Sequence, residues 1–374
     1  MATPLETTLA VIPPGKTFTP EELVFHAHQS LEDALAAADL IVSCPHSGTD
    51  IPAELLKYIA PTFTRRLQFD FTDCSTAPVA RAWARIDPRI IYVENPHPRL
   101  VRDPNRARPA DPRASLREAF ARVRAAGAWN RVDLTGCDAV RPVSFSFFPL
   151  LTVPSTEDEL DAMAGDFTAA AARGVDVYDA TRRDLIARAL DLRLARGVPS
   201  HLFFLSFHDT MNHTTRRDGA VDVDRAPADL LPGVVALSNR GDENGDPRGD
   251  APVTLDPGLI RLLAESHRSG FRVADPAEVA LNRPYLGSQE IITTGAAFRD
   301  DPRLGPGSVV TAGAVQAEFR REYLLGEANA AHIAAPGTDW PAPDASRVAL
   351  LASHMKASWD EFRAAIVGVP TPHA

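Results

Sequence analysis

Cysteine is scarce in this chain: three among 374 residues, at Cys44, Cys74 and Cys137. So small and odd a number excludes a disulfide-built scaffold and suits a reducing cytoplasm. No two of them form a CxxC pair, so a cysteine-type structural zinc site is not expected. Long apolar runs are missing too; none nears the ~18 residues that suggest a membrane-spanning helix. Residues 1–16 lack a basic segment leading into an apolar one, so no secretory signal is expected, and Pro4, Pro13 and Pro14 suggest a loose arm. Positive charge is in deficit. Lys and Arg number 39 against 49 Asp and Glu, a formal net charge of −10, which disfavours binding to the phosphate backbone of nucleic acid. No repeat of fixed period and no low-complexity block interrupts the chain. These absences point to a soluble, cytoplasmic globular protein, and 45% hydrophobic residues suffice for a sizeable core.

What is present alternates in character. Short apolar runs at Leu40–Cys44 and at 90–93, 202–207 and 234–237 read as strands. Between them, residues 115–126, 157–173 and 179–196 carry helix-compatible apolar spacing. The last of these should stop near Gly197. Such alternation predicts an α/β fold with a largely parallel sheet flanked by helices. Residues 240–250 and 298–307 are polar and rich in Gly or Pro, and are expected to be exposed loops. Residues 346–366, after a Pro-rich stretch at 336–343, read as an appended helix packed on the core.

In an open α/β sheet, ligands bind beyond the carboxyl ends of the strands. His46 follows the strand 40–44 with one proline between, and His208 directly follows the strand 202–207. One such histidine, of eleven in the chain, would mean little. Two at equivalent strand ends point to a metal site, because neutral imidazole is a preferred zinc ligand. A catalytic zinc commonly takes three protein ligands and leaves one position for water. The third ligand should be His or a carboxylate, and Asp50, Asp70 and Asp73 are equal candidates by position; Asp50 could equally cap a helix starting near Pro52. Next, Arg99, Arg102 and Arg106 stand with Asp103 and Asn105 just after the strand at 90–93. An arginine fork suits bidentate binding of a carboxylate, although charge alone would favour a solvated turn. Glu318 lies among Val315, Phe319 and Leu324. A carboxyl group in apolar surroundings tends to a raised pKa, which suits a general base or acid, although taken singly such a glutamate more often faces water.

These pieces, in this order, resemble the N-formylglutamate amidohydrolase family. Pro45-His-Ser-Gly-Thr49 followed by Ile51-Pro52 resembles its opening signature, and Thr72-Asp73 its next acidic motif. His97-Pro-Arg-Leu-Val-Arg-Asp-Pro-Asn-Arg106 is similar to its H-S-R-x-V-x-D-x-N-R element. Phe207-His-Asp-Thr-Met211 resembles its second histidine turn, Asn282-Arg-Pro-Tyr-Leu-Gly287 its N-x-P-[FY]-x-G segment, and Val315 to Tyr323 its closing Q-x-E-x-x-R-x-x-Y. Six motifs in sequence are far more specific than any one of them. The resemblance implies the mixed-sheet α/β core of zinc carboxypeptidases and aspartoacylase. It implies His46, Asp73 and His208 as ligands of one zinc or another divalent ion. It further implies Asn105, Arg106 and Asp103 in the clamp for a small-molecule carboxylate, Arg99 at the scissile carbonyl and Glu318 as general base. The activity implied is cleavage of an N-acyl, foremost N-formyl, group from an amino acid such as glutamate. A zinc carboxypeptidase-like peptidase and a non-catalytic metabolite-binding relative are the rival readings. The catalytic domain is expected over 39–330, with an N-terminal extension at 1–38 and a C-terminal Pro-rich segment and helix at 331–374. There are departures: Thr49 stands where aspartoacylase-like enzymes have an acid, Cys74 where the family often has Trp, and Pro98 and Asp209-Thr210 where it has Ser.

Overall fold

The computed structural model describes residues 8–366, so Pro4 of the N-terminal arm lies outside the described residues. Seven strands form the main sheet: β1 (Val24–Phe25), β2 (Leu40–Cys44), β3 (Ile90–Glu94), β4 (Ser200–Thr210), β5 (Val235–Ser238), β6 (Val279–Leu281) and β7 (Val310–Arg320). Their order across the sheet is β6-β5-β7-β4-β2-β3-β1. The central four, β7-β4-β2-β3, are parallel, while β5 meets β7 and β1 meets β3 antiparallel. The sheet is thus mixed and mostly parallel, and the carboxyl ends of its four central strands share one edge.

Alternation along the strands divides the two faces. On β4, Phe203, Leu205 and Phe207 enter one core while Leu202 and Phe204 enter the other. The first core is covered by α1 (Thr76–Ile86), which brings Val79 and Trp83. Beyond it in the chain come α2 (Pro112–Ala126), α3 (Glu157–Arg173) and α4 (Val175–Arg196). They are followed by α5 (Pro257–Gly270), α6 (Gln289–Asp300) and α7 (Ala345–Ile366). Helices α5 and α7 complete the first cover with Leu263 and Trp359; α4 and α6 cover the other face with Tyr178, Leu185, Ile291 and Phe298. Burying each such large apolar side chain is worth about 1.5–3 kcal/mol against leaving it exposed. Helices α2 and α3 pack with Leu55, Phe71, Leu100 and Val101 in a third cluster.

Helix α4 ends at Gly197 in the left-handed conformation, φ 64°, which a residue without Cβ adopts freely. Strand β4 is longer than its apolar run, so His208 sits within the strand rather than after it; the ladder to β7 continues through Thr210. Strand β7 escapes an apolar reading because Ala312-Gly313-Ala314 has poor strand propensity, and pairing on both edges compensates. Of the stretch 298–307 expected to be loop, 298–300 finish α6 and 302–304 form a 3₁₀ turn. Asp50 caps nothing: Ile51–Pro52 pairs with Val11–Ile12, and the 3₁₀ turn that follows starts from Pro52. All three cysteines are free thiols. Among the described residues no helix is long and apolar enough to cross a membrane.

Candidate active site

The shared edge of the parallel strands carries a cavity of about 440 Å³. His46 reaches it from the turn after β2, and Asp73 from the turn before α1; the Asp73 amide donates to the His46 carbonyl at 2.9 Å and locks the two turns together. His208 reaches it from β4. The Nδ1 atoms of His46 and His208 lie 3.2 and 2.9 Å from the same Asp73 oxygen. All three side chains are buried, and their ligand atoms lie within 4.8 Å of one another, a grouping that could hold a metal ion. Of the three aspartates open from sequence, only Asp73 meets both histidines. Asp50 is exposed and bonds Thr49, and Asp70 accepts from Thr215. Burial disfavours a charge on Asp73, but His46 and His208 outweigh it and hold the carboxyl well below the usual range.

The other imidazole nitrogens are tied down. His46 Nε2 meets Asp103 at 2.7 Å, and Arg99 binds the second Asp103 oxygen at 2.6 Å. His208 Nε2 meets the Ser206 hydroxyl at 2.9 Å. Ser206 spends its one proton on Glu290, at 2.8 Å, so it can only accept from the imidazole. Ser43 and Tyr178 also donate to Glu290. Burial opposes a charge on Glu290, yet Arg182 and these donors lower its pKa and keep it an acceptor. With each Nε2 held from behind, the Nδ1 atoms of both rings converge on the same Asp73 oxygen. Burial and Arg99 oppose a charge on His46, but the two carboxylates around it raise its pKa.

Glu318 faces His208 by strand register: the two are Cα partners across β7 and β4. Thr210 donates to one of its oxygens at 2.6 Å and Gln316 to the other at 2.9 Å. Burial raises the Glu318 pKa, and Asp73 adds to this against the pull of His208. A carboxyl whose pKa is raised in this way suits the uptake and release of a proton.

Arg99, Asn105 and Arg106 line the cavity from the loop after β3; Asp103 does not line it. Asp103 was expected in the substrate clamp, and lies 1% exposed behind His46 instead. It shapes the loop, for the Asn105 amide donates to its carboxylate and the Arg106 amide to its carbonyl. Gly48 allows this loop to approach. A Cβ there would stand 2.5 Å from the Pro96 carbonyl carbon, so no larger residue fits between the His46 turn and the loop. Phe145 stacks on the Arg99 guanidinium, 4.7 Å from ring centre to carbon.

Several site residues escaped the sequence reading. Glu290 gave a faint signal, an acid beside Ile291 and Ile292 at a helix start. Arg321 pairs with Asp209 and approaches Asp73 at 4.0 Å; both stand inside the family-like motifs without an assigned role. Burial raises the Asp209 pKa against the pull of the Arg321 guanidinium bonded to it. Arg225 and Tyr285 also line the cavity, and Arg225 belongs to no motif.

No curated protein matches the chain. An N-formylglutamate amidohydrolase from Ralstonia eutropha JMP134, known from its crystal structure, superposes with a TM-score of 0.52 at 19% identity, over 91% of this chain and 98% of that one. At that identity the likeness concerns the fold, an α/β sheet of the same kind. The sequence pattern described as N-formylglutamate amidohydrolase matches residues 38–303, which include every site residue named so far except Glu318 and its neighbours on and after β7. With a match over well more than half its length, the chain belongs to the N-formylglutamate amidohydrolase family.

Proposed function

We propose that the protein hydrolyses the formamide bond of an N-formyl amino acid, with N-formylglutamate the foremost substrate, and that a divalent ion, zinc, is held by His46, Asp73 and His208. The observation that carries this reading is the Glu318 carboxyl beside His208 on the adjoining strand, facing the same cavity as the two Nδ1 atoms that converge on Asp73. Two imidazole nitrogens and one carboxylate oxygen are a donor set that suits catalytic zinc. When bound, such an ion supplies Lewis acidity, which makes water a competent nucleophile near neutral pH. Glu318 takes the proton from the attacking water and passes it to the departing nitrogen, so that formate and the free amino acid leave. Arg99, on the cavity wall, meets the negative charge that gathers on the carbonyl oxygen. Asn105 and Arg106 fix the α-carboxylate, and that binding energy orients the formyl carbon. Asp103 acts one step back, by holding His46.

The purified protein should contain about one zinc per chain by elemental analysis. A chelator should abolish turnover, and zinc should restore it. His46→Ala and His208→Ala should lose the ion and Asp73→Ala should weaken its binding, whereas Asp50→Ala should not. Full metal occupancy in both histidine variants would refute the assigned ligands. Among N-formyl, N-acetyl and N-succinyl amino acids, the N-formyl series should be turned over fastest; a preference for another series would correct the acyl group.

A further inference from the structure

Four arginines line the cavity, and three are already neutralised within the protein. Arg99 pairs with Asp103, Arg106 with Asp138 at 2.6 Å, and Arg321 with Asp209. Arg225 differs. Its Nη1 donates to the Tyr285 hydroxyl at 2.8 Å and to the Met211 carbonyl at 3.4 Å, both uncharged. Among the described residues it forms no ion pair, for its chain neighbour Asp224 pairs with His213 and the hairpin's other acid, Asp222, with Arg216. The position is nevertheless built. Arg225 directly follows a hairpin of His213–Thr215 and Val221–Asp224 that rises from the end of β4. Its amide is fixed to the Asn212 carbonyl at 3.0 Å, and the Asn212 side chain is in turn bonded to Leu231.

A guanidinium always carries its charge, and its planar fork matches a carboxylate. Half-buried in a cavity without a counter-ion, it is complementary to an anionic ligand group and costs desolvation without one. The α-carboxylate of the proposed substrate already has Asn105 and Arg106. The geometry points to Arg225, braced by Tyr285, as the residue that reads a second carboxylate, on the substrate's side chain. This assignment rests on the N-formylglutamate reading and names the residue that would separate a dicarboxylic substrate from a neutral one.

The test compares N-formylglutamate with N-formylglutamine, which has nearly the same shape without the charge, in the zinc-loaded enzyme and its Arg225→Met and Arg225→Lys variants. The wild type should favour the glutamate substrate in kcat/KM by about tenfold to a hundredfold, the range of a hydrogen bond to a charged group. Arg225→Met should lose that preference through a raised KM for N-formylglutamate, and Arg225→Lys should recover part of it. Calorimetry should show the same order for binding of the products L-glutamate and L-glutamine. A wild type that deformylates both without preference, or a preference that survives both substitutions, overturns the assignment of Arg225 and leaves the hydrolase reading standing. A wild type that deformylates no N-formyl amino acid overturns both.

Discussion

Glu318 is held by two donors, Thr210 and Gln316, and by no cation within ion-pair distance among the described residues. That is an environment for a proton carrier rather than for a permanent charge. Glu318→Gln is well suited to test it. The new amide can donate to the Thr210 hydroxyl and accept from Gln316, so the local bonding survives while the capacity to take a proton from water is lost. The turnover number should fall by about 10²–10⁴-fold, with zinc content and substrate affinity little changed. Normal turnover in the variant would remove Glu318 from the mechanism, and loss of zinc would make it a ligand instead. The histidines are controlled in the opposite way. Asp103 and the Ser206–Glu290 relay each hold the Nε2 of one ring, so the direction in which the two Nδ1 atoms point is set by the protein itself.

At the level of elements, the site depends on two turns approaching closely. The His46 turn and the loop after β3 are in backbone contact at Gly48, and Asn95 adds a bond from its side chain to the Pro45 carbonyl at 2.7 Å. Gly48→Ala must push two stretches of backbone apart, with no flexible side chain to yield. Overpacking of this kind costs about 1–3 kcal/mol. The same displacement separates His46 from Asp103, so zinc affinity should fall together with the melting temperature. Gly165, in α3, faces open space: a Cβ added there would meet nothing within 4 Å. Gly165→Ala should therefore leave zinc affinity intact while stabilising the helix by about 0.5–1 kcal/mol. Equal zinc affinity in the two variants would show that the approach at Gly48 does not govern the site.

For the whole molecule, acid stability is coupled to a buried neutral histidine away from the active-site cavity. His267 of α5 is fully buried against Phe271, and burial lowers its pKa from 6.5 to about 4. Because the folded-state value is depressed, the unfolded chain binds the extra proton first as pH falls. This group therefore favours the folded state fully above about pH 6.5, and its contribution is lost progressively between there and about pH 4. A depression of that size corresponds to roughly 3 kcal/mol. Urea unfolding at pH 7 and pH 4 should show His267→Phe less sensitive to acid than the wild type by about that amount. Parallel losses in the two proteins would mean that His267 is protonated in the fold or is not buried as described.

Much of this protein could be read along the chain. Short apolar runs announced β2, β3 and β4, and helical spacing announced α3 with its ends, because each follows from residues adjacent in sequence. Spaced motifs likewise singled out His46, His208, Arg99, Arg106 and Glu318, which the fold gathers around one cavity. Other features depend on distance in space. The selection of Asp73 over Asp50 and Asp70 follows from a turn tied to the His46 carbonyl. The partnership of Glu318 with His208 is a matter of strand register between segments far apart in the chain, where a slip of one would turn Glu318 to the opposite face. Glu290 of α6 gains its role through Ser206 of β4, and Arg225 its significance from carboxylates that pair elsewhere. A side chain's type and spacing are local properties, whereas the field it feels is the sum of groups that only the folded chain brings near.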